Sequence, residues 1–179
     1  MEELEMTSPE QFAGNDRFTW IPFYMEMAEK LLEYKDDRRE LVKIVYELDN
    51  DVIDYFKNDK KERFIDIHPF AFFGIFNRKI TIQKKEKICL HFKRYLAIDA
   101  NLPSDFDGIP EVNNQKSWWG MPWSGNDAVK DIESNWKIFE IAQKKDIEVA
   151  QFNEEFDYIR SRGGAKWSLT MALFWIRPY

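Results

Sequence analysis

The sequence predicts a mainly α, single compact domain of about seven or eight helices with one long, aromatic-rich loop. Apolar residues recur at the i, i+3, i+4, i+7 spacing of amphipathic helices, whereas the strict apolar–polar alternation of half-buried strands is scarce. A chain of 179 residues suits one domain, and 44% hydrophobic with 16% aromatic residues supplies ample core material. No internal repeat is visible, so one continuous core is expected.

The N-terminal part of the chain predicts a polar lead-in followed by two helices. Residues 1–17 are expected to be flexible, and the folded domain is expected to span residues 18–179. Thr19 can cap the first helix, which has Pro22 in its first turn and continues to about residue 34. A second helix is predicted at about residues 37–48 from its regularly spaced Leu, Ile and Val residues.

The middle of the chain predicts one short, very apolar helix and one longer amphipathic helix. Residues 51–61 are ambiguous. Pro69 begins a very apolar helix that either Asp66 or His68 can cap, and that stops near Gly74 or Asn77. The clearest helix covers about residues 81–96, and its apolar face is expected to include Ile88, Phe92, Tyr95 and Leu96.

The last part of the chain predicts a long loop and three helices. Residues 97–125 form a connection of a length that is typical of functional loops. Helices follow at about residues 127–143 and 146–160, and Gly163-Gly164 separate them from a helix at residues 165–176. Because residues 165–176 are apolar almost all round, this final helix is expected to be buried.

Composition restricts the classes of function. A net charge of −6 and a pI near 5.1 argue against a sequence-independent nucleic-acid coat, although a local basic stripe remains compatible with them. One cysteine, Cys89, excludes an intrachain disulfide and favours a reducing compartment. The acidic N-terminus does not resemble a signal peptide, and no apolar run is long enough to span a bilayer. A cytoplasmic protein without membrane contact is therefore expected.

Two groups of basic residues are candidates for phosphate contact. Lys84, Lys87, His91 and Arg94 fall within one stripe of the predicted 81–96 helix, which could follow a phosphate backbone or be an ordinary solvated face. The second group surrounds Gly163-Gly164, where helix N-terminal amides could hold phosphate or a glycine could simply end a helix. Its members are Arg160, Arg162 and Lys166.

The aromatic loop is a candidate site for an unpaired or flipped base. Indole rings stack on bases, and nearby amide or carboxylate groups can hydrogen-bond to a base edge. The alternative is that the indoles fill the core, with one of two sequential tryptophans inside and the other available. The candidate stacking residues are Trp118, Trp119 and Trp123, and the candidate edge readers are Asn113, Asn114, Gln115 and Asp107.

Catalytic signatures are absent from the sequence. His68 and His91 are too few and too widely spaced to indicate a metal centre, and Asp105 with Asp107 is more typical of a turn than of a catalytic pair. Cys89 is expected to be inert core. No phosphate-binding loop or zinc-protease motif occurs. No enzymatic activity, cofactor or metal is therefore predicted, and an enzyme that acts on a base through Asp105 or Asp107 is the weakest alternative.

Three blocks of the sequence resemble a known family. They are D-x-x-P-F-x-F-F-x-x-F-N-R at residues 66–78, P-S-D-F-D-G-I-P…N-N…S-W at residues 103–118, and W-x-L-T-M…W-I-R-P at residues 167–178. Together they resemble the N-terminal region of McrB-like proteins, the AAA+ GTPase subunits of modification-dependent restriction systems. The resemblance covers about residues 18–179.

The resemblance implies a modular anti-phage defence protein. Its N-terminal domain would choose a double-stranded DNA target, often by recognising a modified base such as a methylated one. An AAA+ motor domain would follow in the same chain, and a separate nuclease subunit would cut. The absence of motor motifs and the end of the sequence at Arg177-Pro178-Tyr179 predict a fragment of such a protein. The sequence thus predicts a DNA-binding specificity domain, with a protein-interaction or assembly module as the alternative.

Overall fold

The fold is an assembly of α-helices. The computed structural model describes residues 17–48, 57, 61–113, 121, 128–162 and 165–178, without the side chains of Ala128 and Lys166. These residues contain seven helices and two isolated β-bridges, which confirms the mainly α class and the single compact domain. The helices are α1 Trp20–Leu32, α2 Arg38–Tyr46, α3 Pro69–Gly74, α4 Ile82–Tyr95, α5 Ala128–Gln143, α6 Val149–Ser161 and α7 Ala165–Ile176.

Two predicted segments cannot be compared with this description. Almost the whole predicted lead-in, residues 1–16, lies outside the described residues. Within the ambiguous segment at 51–61, only Lys57 and Lys61 are described, and Lys57 forms an isolated antiparallel bridge with Arg63.

The short helix α3 forms as its sequence predicts. Pro69 occupies the first helical position, and His68 rather than Asp66 caps the helix, because its Nδ1 accepts a hydrogen bond from the Ala71 N–H at 3.2 Å. All six residues of the helix are buried. Since α3 contacts both α5 and α7, its phenylalanines lie at the centre of the core.

Helix α4 packs on α3 through aromatic rings. The ring centroid of Phe92 lies 4.2 Å from that of Phe72 and 5.8 Å from that of Phe76. The prediction that Tyr95 faces the core is wrong: Tyr95 is 47% exposed, and its ring lies against His91 instead.

Thr19 illustrates a wrong capping prediction. It occupies the position before α1, but its side chain accepts no hydrogen bond from that helix. Its hydroxyl donates to Asp105 Oδ2 at 2.6 Å and accepts hydrogen bonds from the Ser104 and Asp105 N–H groups. The tertiary contact therefore takes the place of the local cap.

Helix α7 has the predicted bounds but not the predicted burial. It contacts α1, α3, α5 and α6, and Trp175 is fully buried. Trp167 is nevertheless 70% exposed and Phe174 is 38% exposed. These two residues are seven apart and share a helix face, so the neighbouring helices leave that face uncovered. No helix among the described residues is long and apolar enough to cross a membrane.

Candidate functional site

The loop at residues 103–113 is the central feature of the candidate site, and Asp105 anchors its beginning. The carboxylate accepts hydrogen bonds from the Phe18 N–H, from the Thr19 N–H and hydroxyl, and from the Asp107 N–H. Burial raises the pKa of Asp105, but these hydrogen bonds to the ionised form outweigh that effect and lower it overall. The predicted turn is confirmed, and Asp105 is a structural anchor that joins the loop to the start of α1.

Two buried tryptophans hold the middle of the loop through their indole N–H groups. Trp20 Nε1 donates to the Asp107 carbonyl oxygen at 2.9 Å, and Trp175 Nε1 donates to the Pro110 carbonyl oxygen at 2.8 Å. A buried indole N–H needs an acceptor, and the loop backbone supplies one to each ring. The loop is consequently fixed to α1 on one side and to α7 on the other.

The end of the loop is attached to α4 and to the segment after α3. The buried Lys85 donates to Glu111 Oε1 at 2.5 Å, and the Val112 N–H donates to the Asn77 carbonyl oxygen at 2.9 Å. The Asn77 side chain accepts a hydrogen bond from the Tyr24 hydroxyl within the core. The loop thus ends at the N-terminal turn of α4 in a defined position.

An apolar pocket of about 220 Å³ lies between the loop, the start of α1 and the end of α7. Phe18 and Phe174 are partly exposed, whereas Trp20 is buried at the pocket. Gly108 has φ of +71°, a conformation that L side chains rarely adopt, and an added Cβ would lie a tight 3.2 Å from the Phe18 ring, so both features favour glycine here. The described lining consists of Phe18, Trp20, Ile21, Gly108, Phe174 and Pro178.

Arg17 and Asp107, the residues next in sequence to the lining residues Phe18 and Gly108, form an ion pair. Arg17 Nε lies 3.5 Å from Asp107 Oδ2, and both side chains are largely exposed. The Arg17 guanidinium also lies over the Phe18 ring, 5.3 Å from its centroid. An apolar pocket of this size can enclose a flat ring.

The predicted basic stripe of α4 is only partly presented to solvent. Lys87 and Arg94 are exposed and Lys84 is half-buried. His91 does not belong to a solvent-facing stripe, because its Nε2 lies 2.8 Å from the Ile44 carbonyl oxygen near the end of α2 and donates to it. Lys84 adjoins Lys85, so the basic face begins where the 103–113 loop ends.

The second predicted basic group is not brought to this site. Arg162 forms an ion pair with the buried Asp131 at 2.8 Å, and Tyr158 donates a hydrogen bond to the same carboxylate. This pair joins α6 to α5 and engages the guanidinium, which argues against the predicted phosphate contact. Arg160 is exposed, whereas the Lys166 side chain and Gly163-Gly164 lie in parts of the chain that the structure does not describe.

Most of the predicted base-binding residues cannot be placed. Trp118, Trp119, Trp123, Asn114 and Gln115 fall outside the described residues. Asn113 is exposed and follows directly after the anchored Val112. Asp107 pairs with Arg17 and precedes the pocket-lining residue Gly108.

The aromatic residues that do line a pocket were missed by sequence reasoning. Phe18, Trp20 and Phe174 come from two segments about 150 positions apart, so no spacing connects them. The local sequence patterns predict that Trp20 and Phe174 pack in the core. The one relevant signal was the presence of a polar loop in an aromatic-rich part of the sequence.

Cys89 is buried, and burial raises its thiol pKa, so the thiolate nucleophile is disfavoured. Within the described ranges, no three His, Cys, Asp or Glu side chains are grouped as metal ligands would be.

Fold and site together define a helical domain with an aromatic pocket built around one anchored loop. The chain belongs to the family described as a domain of unknown function, DUF8425, whose model matches residues 20–179. No curated protein and no solved structure matches the chain.

Proposed function

We propose that this domain binds DNA and recognises its target with the aromatic pocket, as the target-recognition domain of a McrB-like restriction protein. The observation that carries the proposal is the course of the 103–113 loop. It leads from Gly108 in the pocket to Glu111, which pairs with Lys85 in the first turns of the basic helix α4. In this proposal the anchored loop connects the pocket, which would hold a ring, with α4, which would contact phosphates.

In this proposal, the pocket receives one base. Phe18 and Phe174 offer partly exposed rings, and base–aromatic stacking typically contributes about 1–3 kcal/mol per base. A volume of about 220 Å³ is below the range of roughly 300–1,000 Å³ for drug-sized ligands, so the pocket suits a single ring. Enzymes and readers that reach a base in duplex DNA extrude it from the stack into such a pocket.

Phosphate contacts are assigned to one face of α4. Lys84, Lys87 and Arg94 share that face, and a local basic surface is sufficient even on a chain of net charge −6. Arg160 is exposed near the end of α6 and is a further candidate for phosphate contact in this proposal.

The family resemblance supplies the wider hypothesis. Under this hypothesis, the target is double-stranded DNA and the domain recognises a methylated base in it. The domain itself has no catalytic role. Its partners would be an AAA+ motor domain in the same protein and a separate nuclease subunit. The motor would hydrolyse GTP, and the anti-phage activity would belong to the whole system.

Fluorescence-anisotropy titration tests the proposal. Matched duplexes, unmodified or carrying methylated cytosine or methylated adenine, would be titrated at two salt concentrations. We expect salt-sensitive binding with preference for one duplex, because phosphate contacts release counterions. If the folded chain binds none of these duplexes at the lower salt concentration, the proposal is wrong.

Variants separate the two parts of the site. Phe174→Ala should weaken binding by about 1–3 kcal/mol, while Trp167→Ala, on the same face of α7 but outside the pocket lining, should leave it unchanged. Lys84→Ala and Lys87→Ala should weaken binding to all sequences and reduce the salt slope by about 1 each. Equal effects of the Phe174 and Trp167 variants would contradict the assignment of the pocket.

A protein-interaction or assembly module is the second candidate, and the surface of α7 favours it. Trp167 and Phe174 expose apolar area on one helix face, and the described pocket lining is apolar throughout. Such surfaces are typical of protein interfaces. A complex formed there would strengthen or persist as salt rises, in contrast to the DNA complex.

A further inference from the structure

We propose that Asp105 is a positioning residue of the pocket, because it holds the lining residue Phe18 in a left-handed backbone conformation. The Asp105 carboxylate itself is not among the described residues that line the pocket. This inference rests on the proposed function, since it concerns how the same pocket is kept ready for its ligand. It predicts that ligand affinity depends on a residue outside the lining.

Phe18 has an uncommon backbone conformation. Its φ is +61°, in the left-handed region that side chains with a Cβ seldom adopt because of steric crowding. Among the described residues, Lys61 and Ala97 are the other non-glycine residues with positive φ, and neither lines this pocket. A backbone conformation of this kind costs free energy, so it persists only where surrounding contacts hold it, commonly at binding sites.

Hydrogen bonds hold the backbone of Phe18 at both ends. Its N–H donates to Asp105 Oδ1 at 3.0 Å, and its carbonyl oxygen accepts from the Ile21 N–H in the first turn of α1 at 3.0 Å. The other oxygen of the carboxylate accepts from the Thr19 N–H at 2.9 Å and from the Thr19 hydroxyl at 2.6 Å. Asp105 therefore binds both residues that precede α1, and hydrogen bonds to an ionised acceptor are among the stronger ones.

These contacts determine where the Phe18 ring lies. The ring packs against Gly108, where an added Cβ would be 3.2 Å from it. Asp105 lies three residues before Gly108, so one loop supplies both the carboxylate that holds Phe18 and the wall against which its ring packs. Without the Asp105 acceptors the backbone is free to leave the left-handed region, and the ring is no longer held in the pocket wall.

Fluorescence anisotropy with a short, labelled single strand of mixed sequence measures affinity without a base-flipping step. Asp105→Ala removes both acceptor oxygens and should weaken binding about tenfold, close to the loss from Phe18→Ala, because either change takes the ring away from the base. Asp105→Asn keeps one acceptor oxygen and should weaken binding less. Ser104→Ala is the matched control. The Ser104 hydroxyl contacts Thr19 rather than Phe18, so affinity should change by less than about twofold.

A double-mutant cycle separates positioning from a general weakening of the fold. In the Phe18→Ala background, Asp105→Ala should cause less than about twofold further loss, because the ring through which it acts is absent. In the Lys87→Ala background it should still cause a loss of about tenfold, because Lys87 is assigned to a separate phosphate contact. Circular dichroism verifies the helical fold of each variant, and the same cycle with Asp105→Asn replaces it if the alanine variant does not fold.

Two substitutions of Phe18 test the left-handed conformation itself. Glycine usually destabilises a protein relative to alanine, because it loses more conformational entropy on folding. Where φ is positive the order reverses, because alanine retains the steric cost of its Cβ. Phe18→Gly should therefore unfold at a higher urea concentration than Phe18→Ala, and the opposite order would overturn the inference.

The binding outcomes distinguish this inference from the proposed function. Parent-like affinity of Asp105→Ala, or losses that add in the cycle with Phe18→Ala, would overturn the positioning role and leave the DNA-binding proposal standing. Parent-like affinity of Phe18→Ala would also overturn it, since Asp105 would then have no ring to position. Absence of binding by the parent chain to every single strand and duplex would overturn both proposals.

Discussion

Helices α3 and α7 have similar composition and different surroundings. Both are rich in apolar residues, and the sequence predicts that the final helix is buried. Every residue of α3 is buried, whereas α7 exposes 70% of Trp167 and 38% of Phe174. Helix α3 lies at the centre, among α4, α5 and α7, while the partners of α7 leave one of its faces uncovered.

This difference shows that apolar composition makes burial possible, but the arrangement of neighbours decides which face is buried. On α7 the uncovered face includes Phe174, which lines the candidate pocket. Exposed apolar area of this kind is costly in water and is commonly retained where a ligand or partner binds. The uncovered face of α7 therefore coincides with the candidate site.

The strongest test of the comparison is truncation of one ring in each helix. Phe72→Ala should lower the free energy of unfolding by about 3–5 kcal/mol, because it leaves a cavity between α3 and α4. Trp167→Ala should lower it by less than about 1 kcal/mol, because most of that ring is already in water. Urea unfolding followed by circular dichroism measures both values, and similar losses would mean that the two helices do not differ in burial.

The two tryptophans of α7 provide a test within one helix. Trp175→Phe should cost about 1–3 kcal/mol, since it removes buried volume and leaves the Pro110 carbonyl without its indole donor. Trp167→Phe should change the free energy of unfolding by less than about 0.5 kcal/mol. Guanidinium titrations of the two variants provide the measurement. A larger loss for the Trp167 variant would reverse the orientation assigned to α7.

Asp105 provides the smallest and most specific test, because it joins the pocket loop to α1. Asn retains an acceptor oxygen, so Asp105→Asn should lower stability at pH 7 by less than about 1 kcal/mol. The pKa of Asp105 is lower in the folded protein than in the unfolded chain, so its contribution is present above about pH 4 and is lost as the pH falls through the folded-state pKa. Melting temperatures measured from pH 7 to pH 3 should therefore converge for parent and variant, and a constant difference would exclude a stabilising role for the ionised carboxylate.

Local signals in the sequence were sufficient for much of the secondary structure. Pro69 with a capping residue before it predicted α3, and the spacing of Ile88 and Phe92 predicted α4. The turn at Asp105–Asp107 followed from turn chemistry. These predictions succeeded because the interactions that determine them occur within a few residues.

Predictions that depended on distant partners were less successful. Thr19 was assigned to its own helix, but its hydroxyl bonds to a loop more than eighty residues away. His91 and Arg162 were grouped with other cations, although one donates to α2 and the other pairs with α5. Hydrogen-bonding side chains are satisfied by whichever group the fold brings near, and helical spacing carries no information about that group.

The sequence by itself determined the mainly α class and the existence and approximate bounds of the helices. Backbone capping and helical periodicity act over short distances, so they can be read from adjacent residues. Only the tertiary structure decided the uncovered face of α7, the anchoring of the 103–113 loop, and the pocket that joins Phe18 to Phe174. Those features arise from contacts between segments far apart in the chain, whose relative placement depends on the packing of the whole core.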